Sequence, residues 1–283
     1  MSAFSVHPCH KALKPYIRFY FQMQMNEKLP FSSLLTATMD SVLVFHFGSS
    51  KSSIDYEFPN SPEKHYTFHK NNAWLGGMHN QPLLCHFGND VSAVICVLTP
   101  LGINHLLHDN ASTILNQGFS FETLGIHKKF IELIEKLESI DNIDTALELI
   151  ESHLLNYYSR INIPFSIKNM SPVTNYIWRQ NGIVRVKDLE DKFHISRRWL
   201  EIQFADQIGL SPKEYARIVR FKNFLTTVIN TPSVSLATQT ENFGYYDQSH
   251  LTRDFHAFTG QTPVKYFQNH ISEINNYFYA GFE

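Results

Sequence analysis

Two stretches in the last third of this chain share one grammar. Val186–Gly209 (VKDLEDKFHISRRWLEIQFADQIG) and Val234–Gly260 (VSLATQTENFGYYDQSHLTRDFHAFTG) each read as a short helix, a tight turn, a second helix with exposed Arg and polar side chains, and a glycine stop. Their turn residues, Ser196 and Asp247, stand 51 positions apart. Two helix-turn-helix units in tandem point to a chain that meets double-stranded DNA at two adjacent places.

The local signals agree. In the first unit Leu189 and Phe193 face inward, and Ser196 is placed to cap the next helix, where Leu200, Phe204 and Ile208 form an apolar stripe. That leaves Arg197, Arg198, Glu201, Ile202 and Ala205 on outward faces. An arginine early in a second helix suits guanine, because its fork matches two acceptors on the major-groove edge. Gly209 then ends the helix. Ser211-Pro212-Lys213-Glu214 combines an N-cap, a proline at the first helical position and a capping-box glutamate. The helix it starts is expected to reach about Ile229, roughly 27 Å at 1.5 Å per residue. In the second unit Asp247 can cap, Leu251, Phe255 and Phe258 turn inward, and Gln248, Ser249, His250, Thr252 and Arg253 are left for a groove. Lys187, Lys213, Arg217 and Lys222 are expected on a solvated face, and Arg220 is expected to be structural.

Charge divides the chain in the same place. The net charge is -2, but residues 1–167 carry 11 Lys+Arg against 15 Asp+Glu while residues 168–270 carry 13 against 9. A basic C-terminal module beside an acidic N-terminal one is expected where only one part touches phosphates. Ile163-Pro164 and Ser171-Pro172 place the boundary at 160–172, since proline drives the preceding residue out of helical geometry.

Residues ~172–268 resemble the DNA-binding domain of AraC/XylS-family transcription regulators. The resemblance is carried by Leu200-x3-Phe204-x4-Gly209-x-Ser211-Pro212-x2-Tyr215, by Arg220-Phe221, and by Gly244-Tyr245-Tyr246-Asp247-Gln248-Ser249-His250-x2-Arg253-x-Phe255-x4-Gly260-x-Thr262-Pro263-x2-Tyr266. The N-terminal segment is similar, more weakly, to a β-rich domain preceding this module in some regulators, through Pro8-x4-Leu13-x-Pro15-Tyr16-Ile17-x2-Tyr20, Leu43-Val44-Phe45-x2-Gly48 and Pro100-x-Gly102. The resemblance implies base reading from Arg198, Glu201 and Ile202 in the first unit and from Gln248, Ser249, His250, Thr252 and Arg253 in the second. This chain departs from the pattern at Glu190 and Thr240, where alanine is usual, at Ile202, where arginine is common, and at Gln239 and Glu241, which replace apolar residues. A carboxylate at a tight helix crossing must find a partner or solvent. The second unit is therefore expected to carry more of the reading.

Upstream, Val42–Phe47, His65–His69, Leu83–Phe87 and Val91–Thr99 are short β-branched and aromatic runs, as in a sandwich or barrel. Residues 128–138 and 145–158 switch to helical spacing. Eleven of the 15 histidines lie here, including His46, His65, His69, His86, His105 and His108, but no acidic ligand stands at a telling offset, so no metal site is assigned. Tyr16, Phe19, Tyr20, Phe45, Phe47 and Trp74 could line a site for a small organic effector or be plain core. Cys9, Cys85 and Cys96 make no disulfide framework and read as reduced thiols. There is no leader pattern, and no apolar run approaches the ~18 residues of a membrane span.

The expected architecture is α+β: a β-rich barrel or sandwich of cupin-like kind with two trailing helices, then an all-α tandem helix-turn-helix domain. Its expected parts are a sensory or effector domain over 1–162, where dimerisation stays open, a DNA-binding domain over 168–270 and a tail over 271–283. The expected function is a cytoplasmic, sequence-specific transcription regulator, not an enzyme, with no cofactor. Double-stranded DNA is the expected partner, and RNA polymerase, a small-molecule effector and a second copy of the chain stay open as further ones. The alternative is a metal-dependent cupin-like enzyme or small-molecule binder with a vestigial DNA-binding module.

Overall fold

The computed structural model describes every residue except 1–2, 27–30, 39, 49–52, 60, 69–72, 89, 108–109, 161–164, 232–234 and 269–283. His69, His108, Ile163-Pro164, Val234 and the tail 271–283 therefore lie outside the described residues. The β-rich part comprises β1 (Ala3–Pro8), β2 (Ile17–Asn26), β3 (Phe31–Leu35), β4 (Val42–His46), β5 (Ile54–Phe58), β6 (Ser61–Phe68), β7 (Ala73–Gly76), β8 (Leu83–Phe87) and β9 (Asp90–Leu98). It continues with α1 (Pro100–Leu106), one 3-10 turn at Ala111–Ile114, β10 (Gly118–Ser120), α2 (His127–Leu137) and α3 (Ile143–Ser159).

The strands form two open antiparallel sheets rather than a closed barrel, in the orders β1-β2-β9-β4-β7-β10 and β3-β8-β5-β6. The six-stranded sheet is the middle layer. Strand alternation sends Leu43, Phe45, Val94 and Cys96 to one face, where they meet Phe130, Leu133, Ile150 and Leu154 of α2 and α3. The other face carries Phe21, Met23, Val44, Ile95 and Val97 against Ile54, Phe58, Cys85 and Phe87 of the smaller sheet. Central β9 is covered on both faces, which is why its sequence reads as an unbroken apolar run.

The helical part follows: α4 (Phe165–Arg179), α5 (Val186–Phe193), α6 (Arg197–Gln207), α7 (Pro212–Asn230), α8 (Leu236–Asn242), α9 (Gln248–Thr259) and α10 (Pro263–Gln268). Here one expectation fails. Ser171-Pro172 lies inside α4 and does not end a helix. Pro172 forfeits one backbone bond, but Met170, Val173 and Ile177 are buried in the helical core, and the Thr174 hydroxyl donates to the carbonyls of Met170 (3.3 Å) and Ser171 (3.1 Å). Burial of three apolar side chains outweighs one lost bond. The helical core also takes in Ala37 and Met78 from the β-rich part, so the two parts are packed together. No helix among the described residues is long and apolar enough to cross a membrane.

Candidate nucleic-acid interface

In the first unit, α5 ends at His194, whose left-handed backbone (φ 54°) makes the turn. The Ser196 hydroxyl then accepts the Trp199 amide at 3.2 Å and starts α6. Glu190, the residue out of pattern, is no liability. Its Oε1 accepts the Arg197 amide at 3.1 Å, so the carboxylate sits on the positive end of the recognition helix. Leu200 and Phe204 are buried, while Arg197, Arg198, Glu201 and Ile202 are exposed, Ile202 to 47%. Arg197 Nε donates to Glu201 at 3.1 Å, which ties up part of the first unit's charge.

The connector α7 has the capping box its sequence announces. The Ser211 hydroxyl accepts the Glu214 amide (3.2 Å) and Glu214 accepts the Ser211 amide (3.2 Å). Its 19 residues span about 28 Å. One of its cations is buried, which corrects the expectation for Lys222, while Arg217 keeps its side chain 35% exposed. Arg217 pairs with Asp254 at 2.7 Å, and Lys222, 4% exposed, pairs with Asp40 at 3.3 Å. Apolar neighbours and a carboxylate within reach pull Lys222 inward.

In the second unit the Ser235 hydroxyl accepts the Thr238 amide at 3.1 Å and opens α8. Thr240 and Gln239, also out of pattern, are buried but satisfied. The Thr240 hydroxyl donates to the Leu236 carbonyl at 2.6 Å and Gln239 Nε2 to the Thr231 hydroxyl at 3.0 Å. Asp247 accepts the His250 amide at 2.6 Å and caps α9. Leu251, Phe255 and Phe258 are buried; Gln248, Ser249 and Arg253 are exposed; His250 and Thr252 are half-buried. His250 turns partly inward, with Arg220 Nη2 at 3.3 Å. Burial first, then the Arg220 and Arg253 charges, lower its pKa and keep it neutral.

The sequence reading overlooked Asp254. It is 1% exposed, on the inner face of α9, and its carboxylate accepts from Arg217 Nε (2.7 Å) and Arg220 Nη2 (3.2 Å) of α7. Arg220 also lies over the Tyr245 ring, 4.5 Å from its centroid, which makes it structural as expected. Lys213, Arg217, Arg220, His250, Arg253 and Asp254 line an open groove between α7 and α9.

Between the two sheets lies a cavity of about 90 Å³. Phe21, Tyr56, Phe58, Tyr66 and Phe87 supply its aromatic walls, and Thr36, Thr38, Asp40, His79 and Lys222 its polar end. None of the six aromatic residues singled out from sequence lines it. Tyr16, Tyr20, Phe45 and Phe47 belong to the core under the helices, and Phe19 and Trp74 to packing between the sheets. Asp40, 2% exposed, holds Lys222 through Oδ2 and Arg18 Nε through Oδ1 at 3.2 Å. Desolvation lowers the Lys222 pKa to about 8 against the pull of Asp40. Desolvation likewise lowers His79 and His46 to about 4, so both are neutral near pH 7. Among the described residues no three His, Cys, Asp or Glu side chains gather as metal ligands would.

Residues 189–269 match the family model described as a helix-turn-helix domain. Among solved structures, an apo variant of ToxT from Vibrio cholerae is similar at 14% identity, covering 88% of this chain and 97% of that one with a TM-score of 0.45. Wild-type ToxT with bound unsaturated fatty acid, from the same species, is 12% identical over 85% of this chain and 95% of that one, with a TM-score of 0.42. The AraC-like transcriptional activator CuxR is 10% identical over 80% and 86% of the two chains, with a TM-score of 0.30. No curated protein matches the chain. The family match begins at Leu189 in α5 and ends just past α10, so it takes in α6, α9 and the connector between them: residues 189–269 match a helix-turn-helix domain.

Proposed function

We propose that the chain is a sequence-specific transcription regulator whose two recognition helices enter successive major grooves on one face of a duplex. One observation carries this reading. The N-terminal turns of α6 and α9 are exposed and polar, and a stiff connector of about 28 Å separates their units, close to the ~34 Å of one DNA turn. Arg198 and Arg253 would address guanine, Gln248 adenine, Glu201 a cytosine amino group and Ile202 a thymine methyl. Ser249, Thr252 and the neutral His250 would add polar contacts to bases or phosphates, and Arg197 and Lys213 would reach phosphates.

The domain division that accompanies this reading is 1–162 for sensing and 168–270 for DNA. The cavity between the sheets supports a small, largely apolar effector, because it reaches Lys222 of the connector directly. Binding to a duplex places the protein inside the cell. RNA polymerase fits as a partner of a bound regulator. A second copy fits less well through α2 and α3, since Phe130, Leu133, Leu137, Ile150 and Leu154 are already committed to the core.

Selection from a random duplex library tests the reading. Two short elements about one turn apart are expected, and recovery of one element or none would remove the tandem reading. Affinity should also fall linearly against salt in log–log form, by ~0.9 per phosphate contacted.

A further inference from the structure

The far ends of the two recognition helices are treated alike. A helix leaves its last carbonyls without partners inside the helix, and in both α6 and α9 the β-rich part supplies a donor. Asn104 Nδ2 of α1 donates to the Gln207 carbonyl at 2.9 Å. The Ala37 amide donates to the Phe258 carbonyl at 2.9 Å.

Further contacts reinforce each end. Asn110 Nδ2 donates to Asp206 at 2.5 Å. Gly209, with φ +83°, approaches so closely that a Cβ there would lie 2.7 Å from the Ala111 carbonyl oxygen. Between these ends, Asp40 pins Lys222 of the connector. None of these contacts covers Arg197, Arg198, Gln248, Ser249 or Arg253, all exposed at or near the opposite ends.

We propose that the β-rich part is a two-jaw clamp that fixes the separation and orientation of the recognition helices. Asn104 is the positioning residue of one jaw, and Asp40, acting on the connector, with the Ala37 amide, acting on α9, of the other. The proposal rests on the regulator reading and adds to it a reason for strict spacing. A helix held at its C-terminal end has its N-terminal turn placed in advance, so the second groove is entered without a further ordering cost. Thr36, Ala37, Thr38 and Asp40 also line the cavity, so a molecule filling the cavity acts on the jaw of the second unit.

The test uses the full chain, the duplex recovered by selection, and versions of it with one or two base pairs inserted between the elements. The unaltered protein should bind the inserted duplexes far more weakly than the selected one. Asn104→Ala and Asp40→Asn should each weaken binding to the selected duplex by about tenfold and bring the inserted duplexes to within about threefold of it, as the linkage between the units loosens. Lys222→Gln, checked for folding by circular dichroism, removes the connector's side of the pair and leaves Asp40 with Arg18, and it should relax the spacing preference as Asp40→Asn does. Variants that keep the preference overturn the clamp, as do variants that lose affinity equally for every spacing. Should the unaltered chain bind no duplex, the regulator reading fails first, a result distinct from either of these.

Discussion

The two helix-turn-helix units use their acidic residues in opposite ways. In the first unit these carboxylates stay on the outside: Glu190 of α5 reaches across to the N-terminus of α6, and Glu201 of α6 engages Arg197 on the surface that would face DNA. In α9 the carboxylate is buried. Asp254 draws Arg217 and Arg220 of the connector together beneath the helix and leaves Arg253 outside, bonded through Nε only to the Ser249 carbonyl at 3.4 Å. The first unit thus spends reading charge on local order, whereas the second takes its order from an inner ion network and presents its arginine outward. On the proposed reading, two copies of one motif divide stability and base contact differently.

Asp254→Ala strikes the contrast hardest. It leaves two arginines facing a hole, and breaking a buried pair by removing one partner costs about 3 kcal/mol even with Arg217 partly solvated. Urea unfolding followed by circular dichroism should show that loss, while Glu201→Ala should leave the midpoint almost unchanged, because exposed i,i+4 pairs contribute only ~0.3–0.5 kcal/mol. Equal effects would erase the distinction.

Reading should be unequal in the other direction. Arg253→Ala is expected to weaken specific binding by ~1–3 kcal/mol and relax preference at one base pair. Arg198→Ala should cost less, measured on the same duplex by titration. A larger loss at Arg198 would reverse the ranking of the two units.

Glu190→Ala should cost about 1 kcal/mol of stability, the usual value of a lost N-terminal cap, read as a shift in the unfolding midpoint. No shift would mean the carboxylate is idle.

The smallest effect concerns protons. The His250 pKa is lowered, so this side chain gains its positive charge only as the pH falls below the ordinary histidine value. The sign follows: binding should strengthen on acidification, and the salt slope should steepen by up to about one. His250→Gln should abolish the change, and its persistence would assign the proton elsewhere.

Much of this was legible because caps, glycine stops and apolar spacing are local. Ser196, Ser211-Pro212 and Asp247 announce helix starts within four residues, and the structure places them there. Asp254, Asp40 and Asn104 were not legible, for one reason. Each is polar at a position whose partner lies far away in sequence, 182 residues away for Asp40 and Lys222. From spacing alone such a residue is read as solvated. The cavity aromatics were misread for a related cause: a strand pattern shows that faces alternate but not which face meets helices and which meets a second sheet. Pro172 misled because proline is a strong local signal, and here tertiary burial overrode it.

The hole between the sheets has a meaning apart from any molecule that enters it. At the rate known for apolar core cavities, a space of about 90 Å³ costs at most about 2 kcal/mol. The β-rich part is therefore less stable than its own side chains would allow, by an amount that filling would return. At ~2–4 °C per kcal/mol for a chain of this class, occupancy is written into the melting temperature, and heat alone reports whether the space is full.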